Sequence, residues 1–144
     1  MNDLLMHLDA VVLKHNPRAV IIYEGDNDIA QGVSVTDVLK TFVKVVGRIK
    51  ADNPAIRIYL ISIKPSVSRQ PLWEKMREVN KGMLAIANQE QTVFYIDVAT
   101  PMLSADGRAR PELFVYDKLH MNQAGYDIWR TVVVPFVKRI EESQ

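Results

Sequence analysis

Ala19-Val20-Ile21-Ile22-Tyr23-Glu24-Gly25-Asp26-Asn27-Asp28-Ile29 is the stretch that decides the fold. Its first five residues form an unbroken apolar run, the pattern of a strand covered on both faces. The run breaks at Gly25 into three polar residues, which we take as the loop at the strand's carboxyl end. In an open α/β sheet, ligands lie in the crevice outside those ends. The polar cluster near the front of the chain therefore falls where chemistry is expected.

Upstream of this stretch, Leu4, Leu5, Leu8, Val11 and Val12 recur at helical spacing. They predict an amphipathic helix over residues 2–15, stopped by Asn16-Pro17. Downstream, Ser34 and Asp37 resemble a capping box with Asp in place of Glu. A helix over 35–51 follows, with Val35, Val38, Leu39, Phe42, Val46 and Ile49 on one face and Asn53-Pro54 as its stop. A second strand over 56–63 is closed by Pro65, which cannot donate to a ladder. After the polar loop 66–70, Leu72, Met76, Val79, Met83 and Ile86 mark a helix over 72–88. A third strand spans 92–98, and a long connection, 99–121, suggests a functional or disordered loop. Asn122 is a good N-cap for a last helix that turns Ile128, Trp129, Val132, Val133, Phe136 and Ile140 inward, with Pro135 expected to kink or divide it. One helix followed by three strand–helix units predicts an α/β protein: a three-layer α/β/α sandwich around a parallel sheet.

The bulk properties narrow the function classes. At 144 residues a single domain with a real core is expected. A net charge of +1, with 48% hydrophobic and 24% charged residues, leaves no electrostatic footprint for nucleic acid or an anionic membrane. The absence of cysteine excludes disulfides and thiolate metal sites. No apolar run approaches the ~18 residues of a membrane span. The first residues lack the basic region of a signal peptide. The cytoplasm is the default location, and any export signal would have to lie upstream.

Two constellations can carry chemistry: Gly25-Asp26-Asn27-Asp28 and Asp117-Lys118-Leu119-His120. Both are expected on the same rim of the sheet. An Asp and a His in one short loop suit a base and its orienter, the carboxylate holding one ring nitrogen while the other takes a proton. An Asn amide beside them can donate to an oxyanion. Each has a plainer reading: Asp and Asn are common turn formers, and Asp-x-x-His before a helix suits capping and the helix dipole. A divalent metal on Asp26, Asp28, Asp117 and His120 lacks any tight ligand spacing. His7 and His15 are expected to be solvated, and the Met residues of the third helix to fill the core.

Taken together and in this order, the constellations resemble the SGNH hydrolase family, the GDSL esterases and lipases. Tyr23-Glu24-Gly25-Asp26-Asn27-Asp28 resembles that family's Gly-x-Asn-Asp block, and Phe114 to Asn122 its Asp-x-x-His block. Ala124-Gly125-Tyr126, Trp129, Ile63-Lys64-Pro65-Ser66, Trp73 and Asn80 extend the match. The resemblance implies a flavodoxin-like SGNH fold and serine ester chemistry. Asn27 would be an oxyanion donor, Asp117 and His120 triad members, and Gly25, Asp26 and Asp28 would contact substrate. It implies carboxylic esters as substrates, acyl lipids or acetylated sugars, and no metal or organic cofactor.

The chain departs from the family at its front. The Gly-Asp-Ser block with the nucleophile and the second block with an oxyanion-hole Gly are not in it. Ser34, Ser62, Ser66, Ser68, Ser104 and Ser143 all lack the strand–turn–helix setting of a nucleophile, which is left unassigned. The expectations are an N-terminally truncated sheet of about three strands, no activity of this chain alone, and Ala19–Glu24 laid bare as an edge. A fragment or a mis-started reading frame is one explanation, a non-catalytic pseudoenzyme or binding module another. A homodimer through the bare strand is expected to cover that edge.

Overall fold

A computed structural model describes residues 1–143. Among these, β1 (Ala19–Ile22), β2 (Arg57–Ile61) and β3 (Val93–Ile96) form one parallel sheet in the order β1-β2-β3. Ala19 lies opposite Arg57, and Ile58 opposite Val93. The helices are α1 (Asn2–Val11), α2 (Asp26–Ala30), α3 (Val35–Asp52), α4 (Trp73–Ala87) and α5 (Gln123–Glu142).

Strand alternation sorts the core into two layers. Ile22, Ile58, Leu60 and Val93 pack with Leu8 of α1, Phe42 and Ile49 of α3, and Met76, Val79 and Met83 of α4. Full burial of each such side chain contributes about 1.5–3 kcal/mol. On the other face Tyr59, Ile61 and Ile96 meet Val132, Val133, Phe136 and Ile140 of α5. This is the expected three-layer arrangement, with one thinly covered side. The apolar face of α5 is only half-buried, and Ile21, on the same sheet face at the β1 edge, is 52% exposed. No helix among the described residues is long and apolar enough to cross a membrane.

Several elements differ from their predicted form. The first helix ends at Val11, and a 3-10 turn, Leu13–His15, follows it. Asn16 then sits in the left-handed region at φ 46°, which Asn tolerates better than most residues. The α conformation that would continue the helix is disfavoured before Pro17. Strand pairing of β1 stops at Ile22, short of Glu24. The cap of α3 is a variant of the predicted box: Ser34 Oγ accepts from the Asp37 N–H and donates to Asp37 Oδ2 at 2.7 Å, because the Asp side chain is a methylene shorter than Glu. Pro135 does not divide α5. Thr131, whose carbonyl Pro135 cannot bond, is exposed like Pro135 itself, so solvent can serve the orphan acceptor.

The long connection after β3 is folded. It contains 3-10 turns at Thr100–Met102 and Pro111–Leu113, and antiparallel bridges Leu103–Ala109 and Phe114–Met121. Met102, Ala109, Leu113, Phe114 and Met121 give it a small core of its own. Asn122 caps α5 as predicted, accepting from the Gly125 N–H at 3.2 Å. Gly125 has no room for a side chain: a Cβ there would lie 2.6 Å from the Leu113 carbonyl oxygen.

Candidate active site

The carboxyl ends of β1 and β2 and the loop before α5 surround a hollow of about 320 Å³. Tyr23, Glu24, Gly25, Asp26 and Asn27 line one side, Lys64 and Arg69 the floor between, and Leu119, His120, Met121, Tyr126 and Trp129 the other side. Gly25, Asp26 and Asn27 of the first constellation and Leu119 and His120 of the second therefore share one cavity, with Asp117 behind the His120 ring.

The first is a short helix where a loop was expected. Gly25 takes φ 100°, a conformation that costs Gly little, and its missing Cβ leaves room for Ile63. The chain then turns into α2, where successive residues are rotated by about 100°. That rotation separates three polar neighbours. Asp26 points inward and is buried, Asn27 faces the hollow, and Asp28 turns away. Asp28 does not line the hollow: its carboxylate meets the amino group of Met1 at 3.1 and 3.2 Å. The sequence reading grouped Asp28 with Gly25 and Asp26, and the helical turn is why the geometry sets it apart.

The second constellation is held by local hydrogen bonds. Asp117 Oδ1 accepts from the backbone N–H groups of Leu119 and His120, both at 2.9 Å, and Lys118 takes φ 56° to close the turn. Asp117 Oδ2 lies 2.5 Å from His120 Nδ1. The hydrogen bond from the His120 ring, with those from the two backbone N–H groups, lowers the Asp117 pKa to about 2. At neutral pH this carboxylate can only accept, so Nδ1 carries the hydrogen. In the neutral ring Nε2 then holds the lone pair. The His120 side chain is 74% exposed.

Between the two lies a charged brace that sequence reasoning missed. Asp26 Oδ1 is 2.5 Å from Arg69 and its Oδ2 is 3.6 Å from Lys64 Nζ. Lys64 Nζ also donates to the Leu119 carbonyl at 3.0 Å and sits 5.8 Å from the centre of the Phe114 ring. Burial pulls the Lys64 pKa down, and the Asp26 carboxylate opposes that shift. Arg69 reaches past Asp26 to Asn27 Oδ1 at 2.9 Å. A lysine directly after an apolar strand, at Ile63-Lys64-Pro65, was a signal for a buried cation. Nothing local marks Arg69, one of several polar residues in its loop. Tyr23 stands beside this brace: its hydroxyl is buried and has no hydrogen-bond partner among the described residues, and burial followed by the Asp26 charge raises its pKa.

Among the described residues no serine lines this hollow. Ser62 and Ser66 are buried: Ser62 Oγ accepts from the Val98 and Ala99 N–H groups, and Ser66 Oγ from the Arg69 N–H. Ser34 is the cap of α3, and Ser104 bonds Asp106 and the Arg108 carbonyl.

The comparisons with known proteins agree with this architecture. The model of the GDSL-like Lipase/Acylhydrolase family matches residues 1–128. No curated protein matches the chain by sequence. Among solved structures, a GDSL-like lipase from Bacteroides thetaiotaomicron superimposes with a TM-score of 0.82 at 19% identity, covering 96% of this chain and 71% of that one. A carbohydrate esterase of family 3 from Talaromyces cellulolyticus gives 0.82 at 17%, covering 99% and 68%. A protein from Streptococcus pneumonia, provisionally described as a platelet activating factor, gives 0.82 at 24%, covering 94% and 66%. At such identities the likeness is one of fold, and the chain spans about two thirds of the length of each.

Proposed function

Because the chain belongs to the GDSL-like lipase/acylhydrolase family, we propose that its hollow is an acyl-transfer site for carboxylic esters. His120 is the base and then the acid, Asp117 its orienter, and Asn27 an oxyanion donor. The single observation that carries this is the shared cavity. The Asp117–His120 pair, closed at 2.5 Å with Nε2 left over, lies across the same hollow as the Asn27 amide.

The attacking alcohol is not among the lining residues. The reaction as proposed needs a serine whose Oγ gives its proton to His120 Nε2 while it attacks the ester carbonyl. The displaced alcohol then leaves with that proton, and water releases the acid by the reverse sequence. Ester hydrolysis is accordingly proposed for a protein that supplies such a serine, and no turnover for these residues by themselves. The substrate is a small ester, an acylated lipid or an acetylated sugar. The alternative is a binding module of the same fold that does not hydrolyse what it holds, a reading compatible with a lining that holds no serine among the described residues.

With p-nitrophenyl acetate, the chain is expected to show neither burst nor turnover above the His120→Ala variant. Turnover that His120→Ala abolishes would mean that a serine dismissed above is the nucleophile. Reading the DNA upstream separates the two proposals. An in-frame strand followed by Gly-Asp-Ser supports the hydrolase, and a stop codon just before Met1 supports the binding module.

We also propose a two-fold homodimer through β1. The outer edge of β1 pairs with nothing among the described residues, and an apolar recess of about 190 Å³ runs beside it, lined by Leu4, Leu8, Val12 and residues 20–24. A paired or covered edge is the usual remedy for such a strand. Light scattering is expected to give twice the monomer mass. A monodisperse monomer would count against the dimer.

A further inference from the structure

We propose that Arg69 is a positioning residue that fixes which end of the Asn27 amide faces the hollow. The inference rests on the proposed function above, in which Asn27 donates to an acyl oxygen. An amide can sit in either of two orientations related by a flip, and only the one with Nδ2 toward the acyl oxygen can donate. A guanidinium carries five donors and no acceptor. Whatever lies 2.9 Å from Arg69 must therefore be an acceptor, so Asn27 presents Oδ1 to it and turns Nδ2 away. Among the described residues Nδ2 has no partner. It is left as a free donor on a side chain that borders both this cavity and a neighbouring one beside Asp28.

The Arg69 fork is itself immobilised. Its other prong is 2.5 Å from Asp26 Oδ1, and the pair is largely buried, with side-chain exposures of 17% and 13%. Its backbone N–H donates to Ser66 Oγ at 3.3 Å. The same loop also grips the opposite wall: the Ser68 N–H donates to the Lys118 carbonyl at 3.1 Å, and Lys64 to that of Leu119 at 3.0 Å. One segment, residues 64–69, thus sets the orientation of the proposed oxyanion donor and tethers the turn that carries His120. The planar fork satisfies two acceptors at once, which a lysine point charge does less well.

The test uses the whole chain, ¹⁵N-labelled, with sodium acetate as the probe for a carboxyl oxygen and sodium chloride as the ionic-strength control. In the unsubstituted chain, acetate is expected to move the Asn27 side-chain NH₂ peaks, which Asn27→Asp identifies by deleting them. Arg69→Gln offers Asn27 an acceptor as well as a donor, so either orientation is allowed. An amide oxygen at this position also draws Asn27 Nδ2 toward itself, so with the donating orientation left to about one molecule in ten the acetate dissociation constant is expected to rise about tenfold. Arg69→Lys, with donors only, is expected to stay within about threefold of the unsubstituted chain, because the orientation is kept. A purely structural role would instead weaken both variants alike and disperse backbone peaks throughout the spectrum.

Unchanged affinity in Arg69→Gln would overturn the inference while leaving the functional reading intact. No acetate-dependent shift at Asn27 in the unsubstituted chain would overturn that reading, and this inference with it. Should the glutamine variant not fold, the lysine variant decides: retained binding supports the donor-only requirement, and lost binding in a folded protein refutes it.

Discussion

Asp26→Ala is expected to destabilise the chain by about 3–5 kcal/mol, the usual consequence of removing one partner from a buried ionic group. Asp26 is the carboxylate between two cations, Arg69 at 2.5 Å and Lys64 at 3.6 Å, and the Lys64 side chain is only 8% exposed. With the carboxylate gone, two positive charges face each other in a site with little water. Domains of this size have about 5–15 kcal/mol of stability in total. The shift is therefore expected as a large fall in the urea midpoint at unchanged slope. The double variant Asp26→Ala, Lys64→Met should recover much of the loss, because one of the stranded charges is gone and the methionine stem fills the same space. A loss below about 1 kcal/mol for the single variant would mean that water screens the cluster, as it does for surface pairs.

At the opposite end of the sheet, Glu141→Gln is expected to cost about 3 kcal/mol, again as a broken and largely buried pair. Glu141 accepts from Arg57 Nε at 2.6 Å, from Arg57 Nη2 at 2.7 Å and from the Tyr59 hydroxyl at 2.6 Å, and Arg18 approaches to 3.3 Å. It is the bond that fastens the end of α5 to β2. The Arg57 hydrogen bonds first, and then the Tyr59 hydroxyl, lower its pKa from the ordinary glutamate range to about 2. The sign of the pH effect follows. A carboxyl whose folded pKa is depressed contributes stability above its unfolded value, and that contribution is lost as pH falls through the folded value. Thermal melts should therefore lose stability between about pH 4.5 and pH 2, with Asp117 losing its own contribution over a similar span. Glu141→Gln should flatten that part of the profile. An equally steep acid limb in the variant would mean that other carboxylates govern it.

The order of elements, the parallel sheet and the place of the two constellations were legible in the sequence because each has a local cause. The runs at 19–23, 56–63 and 92–98 are short, rich in β-branched and aromatic residues and bounded by turn residues, which favours strands. The caps at Ser34 and Asn122 bond residues three positions on. The Asp117 turn closes within its own loop. What misled was also local. Gly25-Asp26-Asn27-Asp28 has the composition of a loop, yet a positive φ at Gly25 lets α2 begin at once. The long connection reads as a functional or disordered loop, and Met102, Leu113 and Phe114 exclude disorder by giving it a core, a contact pattern that no short window contains.

By itself the sequence determined the α/β architecture, the family and the pairing of Asp117 with His120, since these depend on periodicity and on neighbours along the chain. Only the tertiary structure decided that Asp26 is a buried brace, that Asp28 leaves the hollow and that Lys64 and Arg69 join Asn27 to the His120 turn. Those contacts span 27 to 55 positions in the chain. A charge brought that far acquires its partner, and hence its role, only when folding removes the water between them.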